Sequence, residues 1–313
     1  MIKPLRLLIA GLALLAVALA GNFWLRNPEK RTLDDAARGA APGKFVRLSD
    51  GMTHYQIDGP DTGRVVLLAH GFSVPYYIWD STAAHLSKAG YRVIRYDTYG
   101  RGYSDRPDVA YNDKLYERQI AELLDSLHIT GKLAFGGVSF GGYVTGVYTG
   151  RHPDRVSALI LVDPVAGETP ASIAPIDNPI WGGYVFQTSR VPGMAAGQAS
   201  DFIDASRFPD WADRYRVQMQ YKGFGRALRS TQIERRGLNT DTLYGRVANG
   251  GFPVLLIWGE KDATVPFELH ARVQKAIPTA EFQPIAGAAH LPILEQAART
   301  DSIILAFLIA RLH

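Results

Sequence analysis

The chain has 313 residues, of which 47% are hydrophobic and 20% charged, and it contains no cysteine. That length and composition suit one large α/β body with an insertion and a full apolar core, and they exclude disulfide staples, thiolate metal sites and a cysteine nucleophile. The formal charge of +4 comes from 34 Lys and Arg against 30 Asp and Glu spread along the chain without a basic block, so no nucleic-acid partner is expected.

At the N-terminus, Lys3 and Arg6 precede an uncharged apolar stretch over residues 7–25, interrupted only by Asn22 as a strongly polar residue. As a helix it would span about 28 Å, close to the thickness of a bilayer core. Its Ala18-Leu19-Ala20 also fits the cleavage site of an export signal. Residues 1–25 are therefore expected to meet a membrane, as a retained anchor or as a cleaved signal. The side of the membrane stays open, because Arg26, Lys30, Arg31 and Arg38 outnumber Lys3 and Arg6. Residues 26–43, polar, alanine-rich and closing on Ala41-Pro42-Gly43, are expected to form a linker.

Residues 44–48 and 52–57 alternate around Ser49-Asp50-Gly51, which predicts an antiparallel hairpin. Short apolar runs follow at 65–69, 91–96, 133–136, 158–162 and 253–258, separated by segments of helical length that include 78–88, 116–127 and 141–151. This rhythm predicts an α/β fold with a mostly parallel central sheet and helices on both faces. A last strand at 280–285 and an apolar helix from residue 301 to 312 close the chain. Between Asp163 and about Gly245 the rhythm breaks in a run of prolines and aromatics, so the body is expected in two parts, 44–165 and 245–313, around a helical cap over 166–244. Trp181, Tyr184, Phe186, Phe202, Trp211, Tyr215, Met219, Tyr221 and Phe224 are expected to wall a substrate pocket or, taken singly, to fill the cap's own core.

Gly137-Val138-Ser139-Phe140-Gly141 follows the strand at 133–136 and leads into helix-compatible sequence. A serine hydroxyl is a weak nucleophile, and this spacing places it on a sharp strand-to-helix turn, where flanking glycines avoid the strained backbone and the N–H of Phe140 points at the reacting centre.

Together with His70-Gly71-Phe72, Gly259-Glu260-Lys261-Asp262 and Gly287-Ala288-Ala289-His290, this elbow resembles the α/β-hydrolase superfamily, in that family's Ser, Asp, His order. The turn from Asp97 through Gly100-Arg101-Gly102-Tyr103-Ser104 resembles the family's D-x-x-G-x-G-x-S pattern. The likeness covers 44–313 apart from the insertion and is strongest to lid-bearing bacterial esterases and monoglyceride-lipase-like enzymes. It implies Ser139 as nucleophile, His290 as general base and Asp262 as the carboxylate that orients the imidazole, with Asp163 as an alternative acid. Asp262 could also cap the turn into the helix that follows. The backbone N–H groups of Phe72 and Phe140 would form the oxyanion hole. No cofactor and no metal is expected.

Serine at the elbow argues against epoxide hydrolases and haloalkane dehalogenases, which place aspartate there. The expected activity is hydrolysis of a small-molecule carboxylic ester through an acyl-serine intermediate, with a medium-chain or aromatic acyl group. Alternatives on the same triad are a carbon–carbon bond hydrolase and a perhydrolase, and a noncatalytic binding protein is the alternative of another class. Motif letters set neither the natural substrate nor the oligomeric state.

Overall fold

A computed structural model describes residues 2–311. Eight strands form one sheet in the order β1-β2-β4-β3-β5-β6-β7-β8: β1 Lys44–Leu48, β2 Gly51–Asp58, β3 Val65–Ala69, β4 Arg92–Tyr96, β5 Leu133–Val138, β6 Val156–Val162, β7 Val254–Gly259 and β8 Glu281–Ile285. β1 and β2 form an antiparallel hairpin, β2 also runs antiparallel to β4, and every other pairing is parallel. The parallel strands are the continuous apolar runs of the sequence: all of β5 and β7 is buried, because helices cover both faces.

Helix α1 (Ile2–Arg26) precedes the body, and a short α2 (Asp35–Gly39) leads into β1. α3 (Asp80–Lys88), α4 (Asp113–Ser126) and α5 (Phe140–Arg151) then cover the sheet. Asn112 starts α4 by accepting the Leu115 N–H, which satisfies a donor that the first turn cannot pair. One core holds α4 and α5 against the sheet through Leu123, Phe135, Phe140 and Tyr148. A second, on the opposite face, joins Trp79, Leu86, Ile304 and Leu308 to the cap residues Phe186, Trp211 and Phe224. The chain crosses at β3, with β4 on one side and β5 on the other. Open α/β sheets hold their ligands at such a crossing, beyond the carboxyl ends of the strands.

The expected strands fall within a few residues of those observed, whereas two expected boundaries move. Helix Thr240–Ala248 packs on α5, with Leu243 against Gly146 and Arg246 against Gly150. It belongs with the body, so the insertion ends before the expected residue 244. Residues 26–43 are also not a free linker. Glu29 accepts the N–H groups of Gly223 (2.6 Å) and Gly225 (2.7 Å) and the Gln187 side chain (2.9 Å) in the cap. Arg31 pairs with the 220–222 backbone, and Arg38 pairs with Asp105.

α1 is long and apolar enough to cross a bilayer, and none of its apolar window is buried against the body. Its last turns meet the cap at Tyr184, whose hydroxyl accepts from Asn22 at 2.7 Å and whose ring stacks on Phe23. A chain beginning at Arg26 is therefore expected to fold with its body intact. One beginning at Lys44 loses Glu29 and is expected to melt roughly 5–15 °C lower, since hydrogen bonds to a charged group contribute about 1.5–3 kcal/mol each. Thermal unfolding of the two truncations, followed by circular dichroism, checks this; equal melting temperatures would show that 26–43 adds nothing.

Candidate active site

Ser139 sits at the crossing, directly after β5, with φ 54° and ψ −119°. A non-glycine residue rarely adopts a positive φ, so the surrounding structure has to hold it there. The flanking glycines are the reason it can. A Cβ on Gly137 would lie 2.3 Å from the Gly141 carbonyl, and one on Gly141 would lie 2.2 Å from the Ala69 carbonyl oxygen. The Ser139 N–H donates to Val162 at 2.9 Å, and its carbonyl accepts from Gly142 and Val165, so the turn is fastened on both sides.

His290 lies on the loop after β8, and its Nδ1 is 2.8 Å from Asp262 Oδ2. The other oxygen of Asp262 accepts the N–H groups of Thr264 (2.8 Å) and Val265 (2.9 Å). One oxygen thus caps the turn, and the other faces the imidazole. Asp163 follows β6, is fully buried and stands at φ 42°. Its Oδ1 accepts the Gly259 N–H at 2.8 Å and ties the end of β6 to the turn that carries Asp262. One carboxylate oxygen each of Asp163 and Asp262 and a ring nitrogen of His290 lie within 4.8 Å of one another. That spread would suit a metal, but Asp262 and His290 already spend their facing atoms on each other. Burial, and then the neighbouring Asp262 charge, push the Asp163 carboxyl well above the usual carboxylate range.

Phe72 and Phe140 stand beside Ser139 on different elements, one after β3 and one as the first residue of α5, and their rings meet edge to face at 6.1 Å. Among the described residues neither N–H has an acceptor. The His70 ring steadies this loop: Nδ1 donates to the Gly71 carbonyl at 2.7 Å, and Nε2 accepts the Thr98 N–H at 2.9 Å. Burial, which outweighs the Asp97 charge, lowers the His70 pKa to about 4 and keeps the ring neutral for that acceptor role.

Sequence reasoning missed two contributors. Arg101 is fully buried and donates to the carbonyls of Phe72 (2.9 Å) and Tyr99 (3.1 Å), to the Tyr116 hydroxyl and to Thr231 in the cap. It thereby links the Phe72 loop to the cap. Its signal was visible in the glycine-rich turn after β4, although the motif marks the turn and not the arginine's reach. Asp201, in the cap, accepts the His290 N–H through its carbonyl (3.2 Å) and the Thr264 hydroxyl through its carboxylate (2.8 Å). Burial, partly offset by His290, raises its pKa. No sequence pattern singles it out.

Asp97, read as a turn residue, accepts the N–H groups of Tyr76 and Tyr103 and pairs with buried His54 at 2.7 Å. Burial opposes charge on both partners, yet their mutual attraction and hydrogen bond prevail, raising the His54 pKa and lowering that of Asp97.

Ser139, 8% exposed, and His290 open into one cavity of about 160 Å³, lined also by Phe72, Val74, Ile78, Gln198, Asp201, Thr264 and Leu291. The expected wall of cap aromatics is absent from it. Phe186, Phe202, Trp211, Tyr215, Met219, Tyr221 and Phe224 are buried, with edge-to-face pairs such as Phe202–Trp211 and Tyr215–Phe224. Tyr184 instead meets α1, and Trp181 is exposed. A larger cavity of about 430 Å³ surrounds His54 and Asp97 and contains none of Ser139, Asp262 and His290.

This sheet order and this strand-to-helix serine turn are those of a hydrolase fold, and residues 64–297 match the family described as alpha/beta hydrolase fold. The chain belongs to that family. It is 31% identical over 168 residues to a non-heme chloroperoxidase of Streptomyces lividans, covering 52% of this chain and 59% of that one. It is 26% identical over 261 residues to Lipase 1 of Psychrobacter immobilis, covering 81% and 79%. A thermophilic esterase from Thermogutta terrifontis superposes with a TM-score of 0.73 at 25% identity, covering 87% of this chain and all of that one. The chain is thus an α/β-fold hydrolase with esterase, lipase and haloperoxidase relatives.

Proposed function

We propose that the protein is a serine hydrolase that cleaves small carboxylic esters through an acyl-serine intermediate. The observation that carries this reading is the positive-φ Ser139 sharing one cavity with His290, whose ring is held by Asp262. With Nδ1–H donated to Asp262, Nε2 is the nitrogen left to take the Ser139 proton. The hydroxyl oxygen attacks the ester carbonyl, and the developing oxyanion meets the N–H groups of Phe72 and Phe140, the latter at the positive end of α5. Each such donor contributes about 3–4 kcal/mol to lowering the barrier. His290 then protonates the departing alcohol, water attacks the acyl group with His290 again as base, and the acid leaves. Labelling by a fluorophosphonate, mapped to Ser139 and absent in Ser139→Ala, tests the assignment; failure of the folded protein to label would overturn it.

The cavity revises the expected substrate. Pockets for drug-sized ligands run to roughly 300–1,000 Å³, so a space of about 160 Å³ whose only aromatic lining residue besides the His290 ring is Phe72 suits a short acyl group better than a medium-chain or aromatic one. Acetate and propionate esters are expected to exceed the octanoate ester by about tenfold or more in kcat/KM, each misfitting methylene being worth about 1–3 kcal/mol. A profile rising toward octanoate would show that the cap opens in solution. The likeness to a chloroperoxidase supports a second reading, in which hydrogen peroxide replaces water as acyl acceptor; peracid formation from acetate and peroxide reads it out. α1 is assigned to a membrane, as anchor or export signal, and the N-terminal residue of the mature chain distinguishes the two.

A further inference from the structure

Two carboxyl groups stand behind His290, and both are buried. Asp163 is fully buried and Asp262 nearly so, with oxygens inside a 4.8 Å cluster that also includes a His290 nitrogen. Two carboxylates this close in a water-poor interior do not both ionise, so one of them keeps a proton.

Their hydrogen bonds decide which. Asp262 receives three N–H donors: Thr264 and Val265 on Oδ1 and His290 on Oδ2. Each of these favours the charged form. Asp163 receives one, from Gly259 on Oδ1, and its Oδ2 has no partner among the described residues. A buried polar oxygen without a partner is costly, and placing a proton on it turns the orphan into a donor, with the Asp262 side chain as the hydrogen-bonding neighbour of Asp163. The other groups near the pair act in the same direction. Glu295, buried, is committed to the N–H groups of Ile203 and Ala289, and its charge also disfavours a second anion. Asp201 is a further carboxyl beside Asp262 and His290.

We propose that Asp163 is a positioning residue that stays protonated through turnover and donates a hydrogen bond from Oδ2 to the Asp262 carboxylate. The proton is not transferred. Asp163 instead holds Asp262 in register with His290 and draws charge from it, while its other oxygen fixes the Gly259 turn. The proposal rests on the serine-hydrolase reading and assigns Asp163 a role other than that of the alternative acid.

Two substitutions suit the backbone. Asparagine is among the few residues that tolerate a left-handed conformation, and its amide can both donate to Asp262 and accept from Gly259; glycine adopts the conformation freely and supplies neither bond. Asp163→Asn is expected to lower kcat about two- to tenfold with KM unmoved, and Asp163→Gly about 10- to 100-fold, in line with altering one hydrogen bond and with leaving a buried acceptor unmet. Infrared spectroscopy of the wild type at neutral pH is expected to show the carbonyl band of a buried, protonated carboxylic acid that moves in D₂O and disappears in Asp163→Asn.

A loss of about 10³-fold or more in Asp163→Asn would identify Asp163 as the ionised acid and overturn the proposal. So would an infrared difference without that band. Fluorophosphonate labelling of the wild type separates the two readings. If Ser139 labels and the band is missing, this proposal falls alone; if Ser139 does not label, the hydrolase reading falls, and the band still reports whether Asp163 holds its proton.

Discussion

Ser139→Ala is expected to lower kcat for ester hydrolysis by about 10⁴- to 10⁶-fold while leaving secondary structure and melting temperature close to wild type. The substitution removes one oxygen and keeps the Cβ, so the Gly137 and Gly141 approaches that shape the turn are untouched. Serine and alanine meet the same backbone strain at φ 54°, and the turn's fastening uses the backbone of residue 139 and not its hydroxyl. The loss should therefore fall on chemistry and not on folding. What remains would come from binding and from the proposed oxyanion donors at Phe72 and Phe140 acting on water. Steady-state kinetics on acetate esters, beside circular dichroism of the same preparation, measure both quantities. More than a few per cent of wild-type activity in the folded variant would mean that another group attacks the ester.

Much of the geometry of this candidate site was legible because its turn is written in local patterns. The elbow needs glycines at fixed offsets from Ser139, and the steric reason for them, carbonyls little more than 2 Å from a built Cβ, is the same in the sequence motif and in the fold. The parallel strands were equally visible, since burial on both faces forces unbroken apolar runs in β5 and β7. What stayed hidden depends on contacts between distant segments. Glu29 reads as a charged residue in a polar stretch, yet it pairs with backbone N–H groups nearly two hundred positions away. Arg101 reads as part of a turn, although its guanidinium reaches Phe72 and the cap.

The cap aromatics mislead for a related reason. Composition says that large rings are present but not which way they face, and here most are buried away from the cavity, several of them against one another. The polar cap residues that do reach the cavity, Gln198 and Asp201, carry no such compositional signal. The expectation of a medium-chain or aromatic substrate was drawn from those rings, and it loses its support once they turn inward. A cap built this way acts on the site through its backbone and polar side chains, by tying the His290 loop to residues 201–203, and not as a greasy wall.

Asp262→Asn is expected to lower kcat by about 10³- to 10⁴-fold with KM nearly unchanged. The amide oxygen can keep accepting the Thr264 and Val265 N–H groups, so the turn survives. The amide nitrogen then replaces Oδ2 opposite His290 Nδ1, 2.8 Å away, and it is a donor. Two donors cannot face each other, so the imidazole moves its proton to Nε2 and presents Nδ1 as acceptor. The nitrogen that should take the Ser139 proton is now already protonated. The imidazolium formed during attack also loses the anion that would have stabilised it. Binding of ester is unaffected by either change, which is why the loss should appear in kcat. Measuring kcat and KM separately for Asp262→Asn, with Ser139 labelling rates as a second reading, checks the argument. An equal loss in KM, or a variant within tenfold of wild type, would show that Asp262 caps its turn without serving the histidine.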